Sequence, residues 1–204
     1  HPTESWLVTS QAADIADGLH HYHNLLHALE HRARNDEASA PGVWLGFTSI
    51  HWREAWKYGE RAFRYCQLDM GHVLAAVSYA AALHGWQPRL LNLDAESTAR
   101  VLGVDRSADF KDVENEEAEV IVALHADATI TPTSWQHYAG TPSLLDPRPL
   151  YQWPVIEEVS VATRGAVPTS NITASSISTH TASAGILASQ VILKRRSAQA
   201  FDGE

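Results

Sequence analysis

Short apolar runs alternate with polar connectors along the 204 residues, and that pattern sets out the elements. Residues 5–8 read as a strand and residues 14–18 as a turn. Next, Leu19, Tyr22, Leu26 and Leu29 recur at helical spacing, yet a hairpin turning at Asn24 fits the same residues. Periodicity leaves both open. Residues 35–42 are polar and end in Pro-Gly, a loop. Residues 43–50 read as a strand or a short helix, and 51–56, with two tryptophans, are ambiguous. From Gly59 to about His84, Phe63, Cys66, Met70, Val73, Leu74, Val77 and Ala81 form a wide apolar stripe. That stripe predicts one long helix, central and buried, with Gly85 as its cap.

Residues 86–93 read as a strand with a proline near its start. Asp94 caps a helix running to about Leu102, and Gly103 ends it. Residues 105–119 are acidic and mostly loop, and 120–124 form an unbroken apolar run, the mark of a buried strand. From about 127 the chain turns rich in Thr, Ser, Ala and Pro. It reads as a linker or extended arm with one amphipathic patch at 155–161. Apolar periodicity returns at 186–193.

Composition narrows the function classes. A hydrophobic content of 45% supports a sizeable core, and a charged fraction of 19% is not that of a disordered polyelectrolyte. The net charge of -9 gives no electrostatic footprint for nucleic acid and is repelled by anionic membranes. No run approaches a bilayer span, and the first residues lack the basic and apolar regions of a signal peptide. With one cysteine, Cys66, no internal disulfide and no multi-cysteine zinc site can form; the expected compartment is reducing, the cytoplasm. Cys66 sits in the apolar stripe, which favours packing over nucleophilic chemistry. The single methionine is Met70, so the expectation is a chain that starts inside a longer protein.

Four groups could carry chemistry. Five of the twelve histidines lie between His20 and His31; on a helix His23, His27 and His31 would align on one face, as metal ligands do. No His-Glu-x-x-His pattern supports that, a solvated histidine-rich face is the blander reading, and no metal is expected. Lys57 beside Tyr58 could act as an acid–base pair, though Lys and Tyr are ordinary residues at a helix start. Arg61 and Arg64, one turn apart, with Asp69 and His72, read as an ion-pair network or a phosphate contact. Arg195-Arg196-Ser197 would suit a phosphate, or is a solvated basic pair. Dinucleotide, P-loop, nucleophile-elbow and His-Glu-x-x-His signatures are missing.

The stretch Trp56-Lys57-Tyr58-Gly59-Glu60-Arg61-Ala62-Phe63-Arg64-Tyr65, with Asp69 to His72, resembles the central helix of the nitroreductase superfamily, in the branch of azoline-oxidising peptide dehydrogenases. Ala80-Ala81-Ala82-Leu83-His84-Gly85-Trp86 resembles that family's small-residue helix end, and residues 114–124 its acidic loop and strand. His1-Pro2-Thr3-Glu4 resembles the end of its flavin-proximal segment, which leads into a strand and then a hairpin like 19–33. Residues 194–203 resemble the opening of a nitroreductase domain, with Gln199 where the family's second arginine stands. The resemblance implies residues 1–126 as the C-terminal part of one nitroreductase-like unit. It further implies 127–185 as linker and 186–204 as the start of a second unit, in a tandem protein. It implies an α+β sandwich with a central, mainly antiparallel sheet flanked by helices. It also implies an FMN-dependent oxidoreductase, NAD(P)H as a donor, a small-molecule or peptide substrate, and a homodimer or intramolecular pseudo-dimer. Lys57 and Tyr58 match positions that transfer protons near the substrate; Arg195, Arg196 and Ser197 match the flavin phosphate clamp, and His1 and Pro2 backbone near the flavin. The alternative is a catalytically degenerate half acting as a structural or dimerising element.

Overall fold

The computed structural model describes residues 1–12, 14–36, 40–125, 130, 135–165, 185–197 and 199–200, in two units, His1–Asn171 and Ile172–Glu204. Residues 127–129, 131–134 and 166–184 of the stretch expected as a linker, and 198 and 201–204 of the expected second opening, lie outside the described residues.

The first unit is built on a six-stranded antiparallel sheet. Its strands are β1 (Thr3–Ser10), β2 (Gly18–His23), β3 (Ala28–Ala33), β4 (Gly42–Ser49), β5 (Arg89–Leu90) and β6 (Glu117–His125), in the order β3-β2-β1-β4-β6-β5. The two ambiguous stretches resolve here. Residues 19–33 form the β2–β3 hairpin, and 43–49 belong to β4. The helical spacing of Leu19 to Leu29 was coincidental: Leu25 and Leu26 sit exposed at the hairpin tip. On a hairpin, His23, His27 and His31 no longer share a helix face.

Both faces of the sheet are covered, which explains the unbroken apolar run in β6. Ile121 and Ala123 join Trp6, Val8, Leu19 and Trp44 on one face, under Val101 and Leu102 of α3 (Ala95–Leu102). Val122 joins Phe47 on the other, under Met70 of α2 (Ala62–Leu83). Gly46 in β4 sits where α3 comes closest; a Cβ there would lie 2.2 Å from Leu102 Cδ2. The caps of α3 are those expected: the Asp94 side chain accepts from the Ser97 backbone N–H, and Gly103 closes the helix at φ 67°.

Three expectations need correction. The helix expected from Gly59 is present, as a 3₁₀ turn at Gly59–Arg61 leading into α2, but the residues before it form a helix of their own, α1 (Trp52–Tyr58), which ends before Gly59 at φ 60°. Lys57 and Tyr58 therefore close a helix instead of opening one. Nor is α2 buried all round: Ala62, Cys66, Met70 and Ala81 are buried, whereas Tyr79 is 76% and Leu83 57% exposed. One side lies on the sheet, the start of the helix also packs against Ala55 and Ile156, and Tyr79 and Leu83 face outward. The expected strand at 86–93 shrinks to Arg89–Leu90, since Pro88 offers no N–H for the ladder. The amphipathic patch forms α4 (Pro154–Thr163), with Pro154 in its first turn and Ile156 packed near Ala55 and Ala62. The second unit contains α5 (Ala188–Lys194), whose apolar side chains Val191, Ile192 and Leu193 are exposed.

Candidate functional site

Lys57 and Tyr58 stand on the last turn of α1. Arg53 and Ala55 point inward and are buried; Trp56 and Lys57 point out. The Lys57 ammonium lies 5.0 Å from the Tyr58 ring centroid, and that ring packs against Tyr65 at 4.6 Å. The hydrogen bond to Tyr58 raises the Lys57 pKa above its ordinary value. Lys57 is thus a cation beside the Tyr58 ring, able to donate a proton or steady a developing negative charge.

A buried ionic network fixes α1. Arg53 donates to Glu4 of β1, to Glu114 at 2.7 Å and to Ser143 Oγ at 2.9 Å. Glu114 also accepts the backbone N–H groups of Leu145 (3.1 Å) and Asp146 (3.0 Å). His21 bridges Glu4 and Glu30, at 2.9 Å each. Strand register assembles these groups: Trp6 faces His21, His21 faces Glu30, and Glu4 faces Thr48. Thr48 and Trp6, the latter at 2.9 Å, donate to Glu116. Burial works against the charge on Glu4, but His21 and Arg53 outweigh it and hold its pKa low. Burial likewise opposes the charge on His21, yet Glu4 and Glu30 raise its pKa. Burial drives the Glu116 carboxyl pKa up despite the hydrogen bonds from Thr48 and Trp6. Sequence reading missed this network, because Trp6 and Glu116 lie 110 positions apart and no local spacing marks them.

His1 is exposed and Pro2 buried at the start of β1; the Pro2 carbonyl accepts from Ile50 N–H at 2.7 Å. The end of β4 leads directly into α1, so His1-Pro2 and the element carrying Lys57-Tyr58 share one end of the sheet. Arg195, Arg196 and Ser197 are exposed in the second unit, just after α5. Arg196 Nη1 donates to the carbonyls of Leu193 (3.1 Å) and Arg195 (2.7 Å). Arg61 and Arg64 are exposed on the α2 side. Cys66 is fully buried, and burial pushes its thiol pKa up to about 12, in keeping with a packing role. Among the described residues no group of three or more His, Cys, Asp or Glu could hold a metal ion, and no helix is long and apolar enough to cross a membrane. His20 stacks on His31 at 4.6 Å, and Tyr22 bonds His27 at 2.5 Å.

No family model and no curated protein matches the chain. Among solved structures, it is similar to a candidate nitroreductase from Anabaena variabilis, with 24% identity and a TM-score of 0.50 over 60% of this chain and 27% of that one. A chain of the Escherichia coli microcin synthetase McbBCD complex, solved with truncated pro-MccB17 bound, is similar at 17% identity and a TM-score of 0.49, over 63% of this chain and 53% of that one. This chain thus spans about a quarter and about half of those two lengths. The six-stranded antiparallel sheet with helices on both faces is a nitroreductase-like α+β fold, as the resemblance of residues 56–72 implied.

Proposed function

We propose that the chain is part of an FMN-dependent oxidoreductase of nitroreductase type, moving a hydride between flavin and an organic substrate, either a small molecule or a peptide. The observation that carries the reading is the Lys57–Tyr58 pair on a nitroreductase-like fold. It is a solvent-facing cation–phenol couple on a helix anchored from behind by a buried arginine. FMN, when bound, supplies the hydride chemistry; the protein supplies orientation and electrostatics. The residues present fit such a group by their donor chemistry. Arg195, Arg196 and Ser197 offer two guanidiniums and a hydroxyl on consecutive exposed residues, the donor set that a phosphate takes. In the first unit, taken by itself, His1 and Pro2 would lie near a flavin through backbone. Lys57 would hold a proton at Nζ and deliver it to the substrate heteroatom as charge develops there, with Tyr58 Oη orienting the ammonium. Arg53 would keep α1, and so both groups, in place. NAD(P)H is the proposed electron donor.

The exposed outer side of α2, with Leu68, Tyr79 and Leu83, and the exposed Trp56 of α1 support assembly with a second copy or a second similar unit. The same face suits the alternative of a structural, dimerising half, and turnover separates the two. Flavin-loaded protein is assayed with an artificial electron acceptor, wild type against Lys57→Ala. A loss of about a hundredfold in turnover, with flavin content and circular dichroism unchanged, is expected of a proton-transfer group. Equal turnover would remove Lys57 from the chemistry, and no turnover in the loaded wild type would favour the structural half.

A further inference from the structure

We infer that Trp153, the residue before α4, is a positioning residue for Lys57 and Tyr58, resting on the reading of that pair as the acid–base couple: its indole seats on Gly59 and fixes the turn beside which the pair stands.

Taken alone, that turn is weakly held. Gly59 stands at φ 60° and ψ −140°, a conformation open to glycine and strained for other residues. Glycine also loses more backbone freedom on ordering than any other residue. None of Gly59, Glu60 and Arg61 is buried, and no side chain caps the 3₁₀ turn at its start. The helix before it, α1, has seven residues, about two turns. Arg53 anchors the first of them, while Lys57 and Tyr58 lie in the last, and helix ends fray.

Trp153 holds this far end. A Cβ built on Gly59 would lie 3.4 Å from Trp153 Nε1 and 3.9 Å from its Cε2, ordinary van der Waals contact, so the indole edge lies over the glycine. Trp153 also packs against the cluster of Ala55 in α1, Ala62 in α2 and Ile156 in α4, which joins the elements on either side of the turn. Its own backbone is well placed to hold still. Pro154 disfavours helical backbone at the residue before it, and Trp153 stands at φ −125° and ψ 82°. Its carbonyl accepts the Ile156 N–H at 3.0 Å. Upstream, Ser143 Oγ accepts from Arg53 at 2.9 Å, and Glu114 accepts the Leu145 and Asp146 N–H groups. The segment 143–153 thus touches α1 twice, at Arg53 near its start and at Gly59 just past its end.

The Lys57 ammonium lies 5.0 Å from the Tyr58 ring centroid, and Tyr58 raises its pKa; both depend on an ordered last turn. Placement matters to the chemistry, because a shift of about 1 Å at a reacting group can cost about a hundredfold in rate. Trp153 acts through the turn alone and needs no contact with substrate.

The test compares Trp153→Ala and Trp153→Phe with wild type in the full chain, by two readouts. Without flavin, the ε-methylene NMR signal of Lys57 is followed; Lys57, Lys111 and Lys194 are the three lysines, and Lys57→Arg identifies the signal. The Tyr58 ring displaces it, Trp153→Ala should return it to the position of a free lysine, and Trp153→Phe should keep most of the displacement. A residue that only fills space would lower the urea midpoint and leave that signal in place. With flavin loaded and an artificial electron acceptor, Trp153→Ala should lose about ten- to a hundredfold in kcat with KM changed less than about threefold, and Trp153→Phe should stay within about threefold of wild type. Should Trp153→Ala fail to fold by circular dichroism, Trp153→Leu takes its place, since it keeps apolar contact with the cluster without the reach of the indole. An unmoved Lys57 signal, an unchanged kcat, or Trp153→Phe as impaired as Trp153→Ala would overturn the inference. A loaded wild type without turnover would defeat the redox reading instead, and the flavin-free Lys57 signal would still decide whether Trp153 holds the turn.

Discussion

Replacing Arg53 by Met tests how α1 is held. The Arg53, Glu4 and Glu114 side chains are 7%, 7% and 4% exposed, so solvent screens their interactions little. Methionine keeps much of the packing volume but removes the cation, leaving two buried carboxylates short of their counter-charge. Breaking a buried ion pair from one side costs about 3–5 kcal/mol. Here Glu4 retains His21, and Glu114 retains two backbone N–H donors, which places the loss at the lower end, about 3 kcal/mol. Against a typical stability of about 5–15 kcal/mol that is a large fraction. Urea unfolding followed by far-UV circular dichroism would show the midpoint falling by roughly 1–3 M at ordinary m-values. A cycle with Glu114→Gln should give a coupling of about 1–3 kcal/mol, since the neutral amide no longer demands the cation. A loss under about 1 kcal/mol, or strictly additive single effects, would refute the view that this network anchors the helix.

Three further outcomes follow from the packing and the network. Gly46→Ala drives a methyl onto the buried Leu102 and should cost about 1–3 kcal/mol in denaturant unfolding, and the double variant with Leu102→Ala should lose less than the sum of the two single losses. The raised pKa of His21 means its contribution is complete below the ordinary imidazole value of 6.5 and is lost as pH rises through the raised folded value. Urea midpoints measured from roughly pH 6 to 9 should therefore fall more steeply in wild type than in His21→Gln; parallel profiles would contradict the assignment. Glu4, with its pKa held low, acts in the opposite window: its contribution is present above the ordinary carboxylate value and disappears as pH falls through the lowered one.

Local signals in the sequence carried far. Asp94 and Gly103 marked α3 to the residue, because capping is short-range chemistry, and the apolar run at 120–124 marked a strand covered on both faces. The fold class was legible through the resemblance of residues 56–72. Where a decision was non-local, the sequence misled or stayed silent. Leu19, Tyr22, Leu26 and Leu29 kept helical spacing, yet pairing with β1 made residues 18–23 a strand. The apolar girth of α2 promised burial, but among the described residues its outer side stays exposed. Gly59 separates α1 from the helix that follows because its φ of 60° is left-handed, which no hydrophobic count registers. The network of Glu4, His21, Arg53, Glu114 and Glu116 emerges only once strand register has brought distant residues face to face.

The claim that the chain belongs to a flavin oxidoreductase is tested most directly by the visible spectrum of the purified protein, before and after incubation with FMN, with any released chromophore identified by mass. The account predicts the two visible bands of an oxidised flavin and a released mass equal to that of FMN. A colourless protein that takes up no added FMN would contradict it.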